Sequence, residues 1–212
     1  MFKKDLDLVK ELHKKYNFLA PLIDAGGMES PTIADYEISI RKAYRQTIKL
    51  NGIDREVVVP HEEQKDRYVN IKRPWSFIDP NYIIENPEYG GSFIEDLPKK
   101  YNNYFNTIIM VSVFEHVNNP YKISDCLFQI LKPGGYLFNS TPFLFPHHPS
   151  PEDNFRFSPV ALRRIHESSG FKWLEGDFHI NYPVNAGIGD TNPARYLQLQ
   201  PMMVSYALCR KE

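Results

Sequence analysis

The chain opens on a helical period. Leu6, Val9, Leu12 and Tyr16 recur at spacings of three and four, which predicts an amphipathic helix over residues 2–16. A short apolar run at 18–24 follows, with a predicted strand over 19–23 that leads into Asp24 and Gly26-Gly27. Ser30-Pro31 is a helix-start pair, serine as N-cap and proline in the first helical position. Ile33, Tyr36, Ile40, Ala43 and Thr47 give that helix an apolar stripe that ends near Asn51-Gly52. Residues 52–74 lose the pattern. They are polar and charged, with Val57-Val58-Val59 as their strand candidate, and read as an insertion.

From Trp75 the texture changes to alternating strands and helices. Strands are predicted over 75–78, ending at Asp79, and over 91–97. The continuous β-branched run at 107–113 marks a strand buried on both faces. Ile123, Leu127, Ile130 and Leu131 share one face of a helix over 120–131, which Lys132-Pro133-Gly134-Gly135 stops. A strand over 135–141 follows, then a proline-rich loop over 142–158. Ser158-Pro159 starts a further helix that Gly170 ends, and strands over 171–178 and 202–209 close the chain. This alternation predicts an α/β fold, a mostly parallel sheet with helices on both faces, in one domain over 1–212. Such sheets bind ligands beyond the carboxyl ends of their strands. Candidate chemistry therefore sits at Asp24–Gly27, Asp79, Glu95-Asp96, Ser112–His116 and from Thr141 onward.

Composition narrows the classes. The 212 residues carry 25 Lys and Arg against 26 Asp and Glu, a net charge of −1, without the basic excess of a dedicated nucleic-acid binder. Cys126 and Cys209 lie in apolar stretches without a CxxC partner, and read as core residues rather than a disulfide or zinc site. No run of 18 apolar residues exists and the N-terminus lacks a signal-peptide core, so the expectation is a cytoplasmic protein with no membrane span. The bias lies in 13 Tyr, 14 Phe and 17 Pro, a mixture that suits rigid aromatic pocket walls and a homodimer surface.

Residues 113–142, VFEHVNNPYKISDCLFQILKPGGYLFNSTP, resemble the class I S-adenosylmethionine-dependent methyltransferases. The strand, the EHV turn, the helix and LKPGG follow in that family's order. The next stretch, PHHPSPEDNFRFSPVALRRIHESSGF at 146–171, is similar to one branch of the family. The resemblance implies a Rossmann-like sheet with an antiparallel last strand and S-adenosylmethionine as cofactor. It implies that Gly26 and Gly27 pass close to the amino-acid end of that cofactor, with Asp24 facing its cationic group. It further gives Asp79 to the ribose hydroxyls, Asp96 to the adenine amine, and Ser112 to the same cleft. Met28 and Ser30 stand where the family's glycine motif has its later glycines.

Methyl transfer from a sulfonium is an in-line displacement, so the protein's task is to align nucleophile and methyl and exclude water. A hydroxyl acceptor also needs a proton acceptor, and His116, His147, His148 and Asp153 are the candidates. The acceptor expected is a small molecule or a glycan-type hydroxyl or amine. Glu115 reads as an orienter of its turn. Arg156 reads equally as an anchor for an acidic substrate group or as an ion-pair partner of Glu152 or Asp153. No HxxxH or HExxH pattern occurs, and no metal is expected. Two other classes compete: a methyltransferase-fold scaffold that has lost catalysis, and a nicotinamide-dependent enzyme, which the absence of G-x-G-x-x-G after a strand disfavours.

Overall fold

A computed structural model describes residues 3–27, 45–50, 53–58, 73–87, 90–145, 147, 152–180 and 203–212. Helix α1 (Lys3–Tyr16) is followed by β1 (Leu22–Ala25), and the hairpin strands β2 (Arg45–Leu50) and β3 (Ile53–Val58) pair with each other as a separate two-stranded sheet. Then come β4 (Ile83–Glu85), the helical turn α2 (Leu97–Lys100), β5 (Phe105–Val111), α3 (Pro120–Ile130), β6 (Leu131–Leu144), α4 (Pro159–Ser168), β7 (Phe171–Glu175), β8 (Phe178–Ile180) and β9 (Met203–Lys211).

The main sheet has the order β4-β1-β5-β6-β9-β7, with β8 also paired to β9. β4, β1, β5 and β6 are parallel, and β9 runs antiparallel to β6, β7 and β8. The antiparallel strand is thus the last in sequence, and the mostly parallel α/β architecture is the one expected.

Two apolar layers sandwich this sheet. On one face, Leu6, Val9 and Leu12 of α1 pack with Phe18, Leu22, Trp75, Tyr82, Ile109, Phe138 and Leu208. On the other, Ile123, Leu127 and Ile130 of α3 and Leu162 and Ile165 of α4 pack on Ile23, Ile108, Leu137 and Ala207. Each buried leucine or isoleucine contributes about 1.5–3 kcal/mol relative to exposure. The helix starts are those the sequence advertises: Asn119 Oδ1 accepts from Lys122 N at 3.1 Å ahead of Pro120, and Ser158 Oγ accepts from Ala161 N at 3.2 Å ahead of Pro159.

Five expectations need correction. Residues 75–78 form turns, with Ile78 N and Asp79 N both donating to Trp75 O, and the strand of this region is β4. Residues 91–97 are no strand: Ile94–Asp96 is a 3-10 turn running into α2, because Leu97-Pro98 sets the first helical turn. Thr47 lies in β2, so its helical stripe does not reach that far. The strand after LKPGG begins at Leu131 and absorbs those glycines through a register shift against β5, while the predicted 171–178 strand divides into β7 and β8. Residues 31–44 of the helix expected after Ser30-Pro31 lie outside the described residues, as do His148, Pro146, Pro149 and Pro151.

Candidate active site

The chain leaves β1 through Ala25, Gly26 and Gly27 at the carboxyl edge of the sheet. Gly26 has φ +92°, a region open to glycine and costly for other residues, and a Cβ there would meet Val113 Cγ2 at 2.4 Å. A Cβ on Gly27 would stand 2.2 Å from the carboxyl carbon of Asp24. The turn therefore accepts no side chain at either position. Gly26 N donates to Glu85 O at 2.7 Å and Asn86 Nδ2 donates to Gly26 O at 3.0 Å, which ties the turn to the end of β4.

Asp24 lies beneath this corner, 8% exposed, with its Oδ2 accepting from Trp75 Nε1 at 2.8 Å. Burial raises its carboxyl to about 7, against which the Trp75 hydrogen bond pulls down. It is a carboxylate that gains from an adjacent cation. Trp75, 1% exposed, holds it in one orientation.

Asp79 stands at the other end of the sheet. Its Oδ2 accepts from Leu22 N, the first residue of β1, at 3.0 Å, and its Oδ1 accepts from Asn81 N at 2.9 Å. It caps the amino end of β1. The acid at the carboxyl end of the neighbouring strand is Glu85, which sequence reasoning missed. Its signal was the short run Ile83-Ile84 before an acid, three residues long and hidden behind the more conspicuous Trp75–Asp79 stretch. Glu85 is 4% exposed; Lys100 Nζ donates to its Oε1 at 2.7 Å, Tyr101 OH to the same oxygen at 3.1 Å, and Ser92 N to its Oε2 at 2.7 Å. Burial opposes ionisation, yet these donors together hold its carboxyl below the usual range. A carboxylate has about four lone-pair sites, so three donors leave room for one hydroxyl.

Asp96 is exposed on the 3-10 turn and its Oδ1 accepts from Lys99 Nζ at 2.6 Å. Ser112 follows β5 with φ +53°, and its N donates to Ser140 O at 2.8 Å. Asp24, Gly26, Gly27 and Ser112 thus share the carboxyl edge, with Glu85 in the place expected for Asp79.

The predicted proton acceptors divide. His147 is exposed. His116 and Asp153 belong to a network that fastens residues 152–157 to the turn after β5. Glu115, fully buried, accepts from Thr141 Oγ1 at 2.9 Å, and its backbone O accepts from Asn154 N at 2.8 Å and Phe155 N at 3.1 Å. Burial pushes its carboxyl up. His116 Nδ1 contacts Glu152 O, and its Nε2 lies 3.5 Å from Glu115 Oε1. Arg156 grips Asp153 with both terminal nitrogens, Nη2 to Oδ2 at 2.6 Å, the ion pair of one of its two readings. His166 is fully buried between Ser124 Oγ and Asn139 Nδ2, and desolvation lowers its imidazole to about 3, so it stays neutral. Among the described residues no three His, Cys, Asp or Glu side chains converge as a metal site, and no described helix is long and apolar enough to cross a membrane.

Comparison with known proteins places this geometry. A family model described as a methyltransferase domain matches residues 19–175. No curated protein sequence matches the chain. Among solved structures, a protein assigned as a sarcosine dimethylglycine methyltransferase from Galdieria sulphuraria is 13% identical with a TM-score of 0.53, over 99% of this chain and 86% of that one. A protein assigned as a methyltransferase from Bacillus halodurans is 13% identical with a TM-score of 0.52, over 98% and 99% of the two chains. The cyclase SpnF is 13% identical with a TM-score of 0.52, over 97% and 80%. At these identities the likeness is one of fold.

Proposed function

Because the chain belongs to the methyltransferase-domain family, whose cofactor is S-adenosylmethionine, we propose that it transfers a methyl group to a small-molecule or glycan-type hydroxyl or amine. The observation that carries this reading is the corner at the end of β1: two glycines that admit no Cβ, over a buried Asp24 that gains from a cation, beside the acid that ends β4. These groups fit the cofactor. Gly26 and Gly27 offer close backbone to its amino-acid end, Asp24 offers a carboxylate to its ammonium, and Glu85 has one acceptor position for a ribose hydroxyl. Ser112 stands on the same edge, and Asp96, exposed and paired with Lys99, is left for the adenine end. When bound, the cofactor supplies an activated methyl on a sulfonium; the chain's own residues supply alignment and exclusion of water.

In this reading the Glu115, His116, Asp153 and Arg156 network positions the loop after β6 rather than moving protons. Both His116 nitrogens already face oxygens of the chain, and Asp153 is held by Arg156. Phe143 and Phe178, 4.8 Å apart between ring centroids, would wall the acceptor pocket on that side. One observation favours a second reading. Glu85 is already engaged by Lys100, Tyr101 and Ser92 N, which suits a fold that has given up cofactor binding. Calorimetric titration with S-adenosylhomocysteine separates the two: binding in the micromolar range supports the enzyme, and no heat at millimolar ligand supports the scaffold.

A further inference from the structure

Opposite the Glu115 network, on the face covered by α1, lies a second polar cluster that the proposed cofactor site does not use. Asp5, in the first turn of α1, has no exposed surface. Its Oδ1 accepts from Ser140 Oγ at 2.8 Å and lies 3.1 Å from His179 Nε2. Its Oδ2 is buried with no hydrogen-bond partner among the described residues. A carboxylate placed in an apolar layer costs several kcal/mol unless it is put to use or fully paired. Fastening α1 to the sheet would not require one, since Leu6, Val9 and Leu12 already do so.

The position is as informative as the chemistry. Ser140 is the residue whose carbonyl receives Ser112 N, so the cluster stands at the same carboxyl edge as the glycine corner. His179 pairs in register with Val204, which itself pairs with Pro142 at the end of β6. The imidazole side chain is 16% exposed, while its Nε2 is buried 3.1 Å from Asp5 Oδ1 and, like Asp5 Oδ2, makes no hydrogen bond among the described residues. The titratable groups that face it are Asp5 from α1 and Tyr206 from β9, whose ring stands edge-on at 6.0 Å. A carboxylate this close to one imidazole nitrogen favours the proton on that nitrogen and leaves the other as a proton acceptor.

We propose that Asp5 and His179 form the proton-accepting pair of the acceptor site, with His179 Nδ1 as general base toward a hydroxyl-bearing acceptor and Asp5 as its positioning residue. This rests on the methyltransferase reading above. As the acceptor oxygen forms its bond to the methyl carbon, the carbon–sulfur bond breaks and its electron pair stays on sulfur as a neutral thioether. The hydroxyl proton passes to Nδ1, and the imidazolium is stabilised by Asp5. Ser140 holds Asp5 by its Oγ and takes no proton.

The test has two arms on the full chain. In the first, the His179 tautomer is read by nitrogen-15 NMR on histidine-labelled protein near pH 8, with and without S-adenosylhomocysteine. The pair requires the proton on Nε2 and a bare Nδ1, and Asp5→Asn should convert this to a mixture of tautomers. A proton on Nδ1 in the wild type, or an unchanged tautomer in the variant, overturns the pair, whether or not the cofactor binds. In the second arm, tritiated methyl transfer is screened against simple alcohols, phenols and sugars, then against primary amines. For a hydroxyl acceptor, His179→Gln should lower kcat by about 10²–10⁴-fold while S-adenosylhomocysteine affinity stays within about threefold. Near-wild-type kcat in His179→Gln, or transfer to amines alone, overturns the role. Loss of S-adenosylhomocysteine binding in the wild type would instead strike the methyltransferase reading. Should Asp5→Asn fail to fold, the wild-type His179 tautomer and His179→Gln carry the decision.

Discussion

Replacing Asp24 by asparagine should raise stability at alkaline pH and weaken cofactor binding at once. The carboxyl ordinarily titrates at 3.8, and burial holds it at about 7 in the folded chain. Between these values the folded state keeps a proton that the unfolded state has lost. Stability from this group is therefore greatest near pH 4, declines as pH rises to about 7, and is flat above. The full difference is about three pKa units at ~1.4 kcal/mol each, or about 4 kcal/mol of destabilisation at pH 8. Asparagine keeps the oxygen that accepts from Trp75 Nε1 and carries no charge at any pH. Structural relaxation around the charge reduces the gain, so about 2–4 kcal/mol is expected at pH 8 and close to none at pH 4.5. For a chain of this length each kcal/mol moves the melting temperature by roughly 2–4 °C. The assay is urea unfolding of both proteins from pH 4.5 to 8.5, with calorimetric titration of S-adenosylhomocysteine at pH 8. The variant should bind it weaker by about 1.5–3 kcal/mol, the worth of a charged hydrogen bond. Stability curves that run parallel across the whole pH range would refute the reasoning, because they would mean that Asp24 does not keep its proton on folding.

Asp79→Ala removes the acceptor for Leu22 N and Asn81 N, and should cost about 1–3 kcal/mol of stability in chemical unfolding while leaving S-adenosylhomocysteine affinity unchanged. Glu85→Gln should weaken that affinity by about tenfold or more; an unchanged dissociation constant would remove Glu85 from the cofactor site. Gly27→Ala forces a methyl group to 2.2 Å from the Asp24 carboxyl carbon, so cofactor binding should fall below detection in a protein that still shows the far-ultraviolet dichroism of the wild type. His166→Asn should lower the melting temperature without altering any activity limb between pH 5 and 8, because the imidazole is already neutral throughout that window.

Local signals in the sequence settled much of this molecule. The three-and-four spacing of Leu6, Val9 and Leu12 is enough to place α1, and the β-branched run at 107–111 is enough to place a strand buried on both faces. Asn119-Pro120 and Ser158-Pro159 mark helix starts by backbone chemistry that needs no distant partner. Gly26-Gly27 after an apolar run was legible for the same reason. What the sequence left open lies where an assignment depends on residues far away in the chain. Asp79 and Glu85 both follow apolar residues and both precede a turn. Only the pairing of Ile83-Ile84-Glu85 beside β1 puts Glu85 at the carboxyl edge, while a hydrogen bond to Leu22 N puts Asp79 at the amino edge. A strand of three residues has too few alternations to be read alone, and its existence is decided by the neighbour that satisfies its backbone. Asp5 and His179 make the same point more sharply. Each is an ordinary polar residue in its own segment, and their chemistry exists only because α1, β6 and β8 bring both into one buried layer where a carboxylate must find a partner.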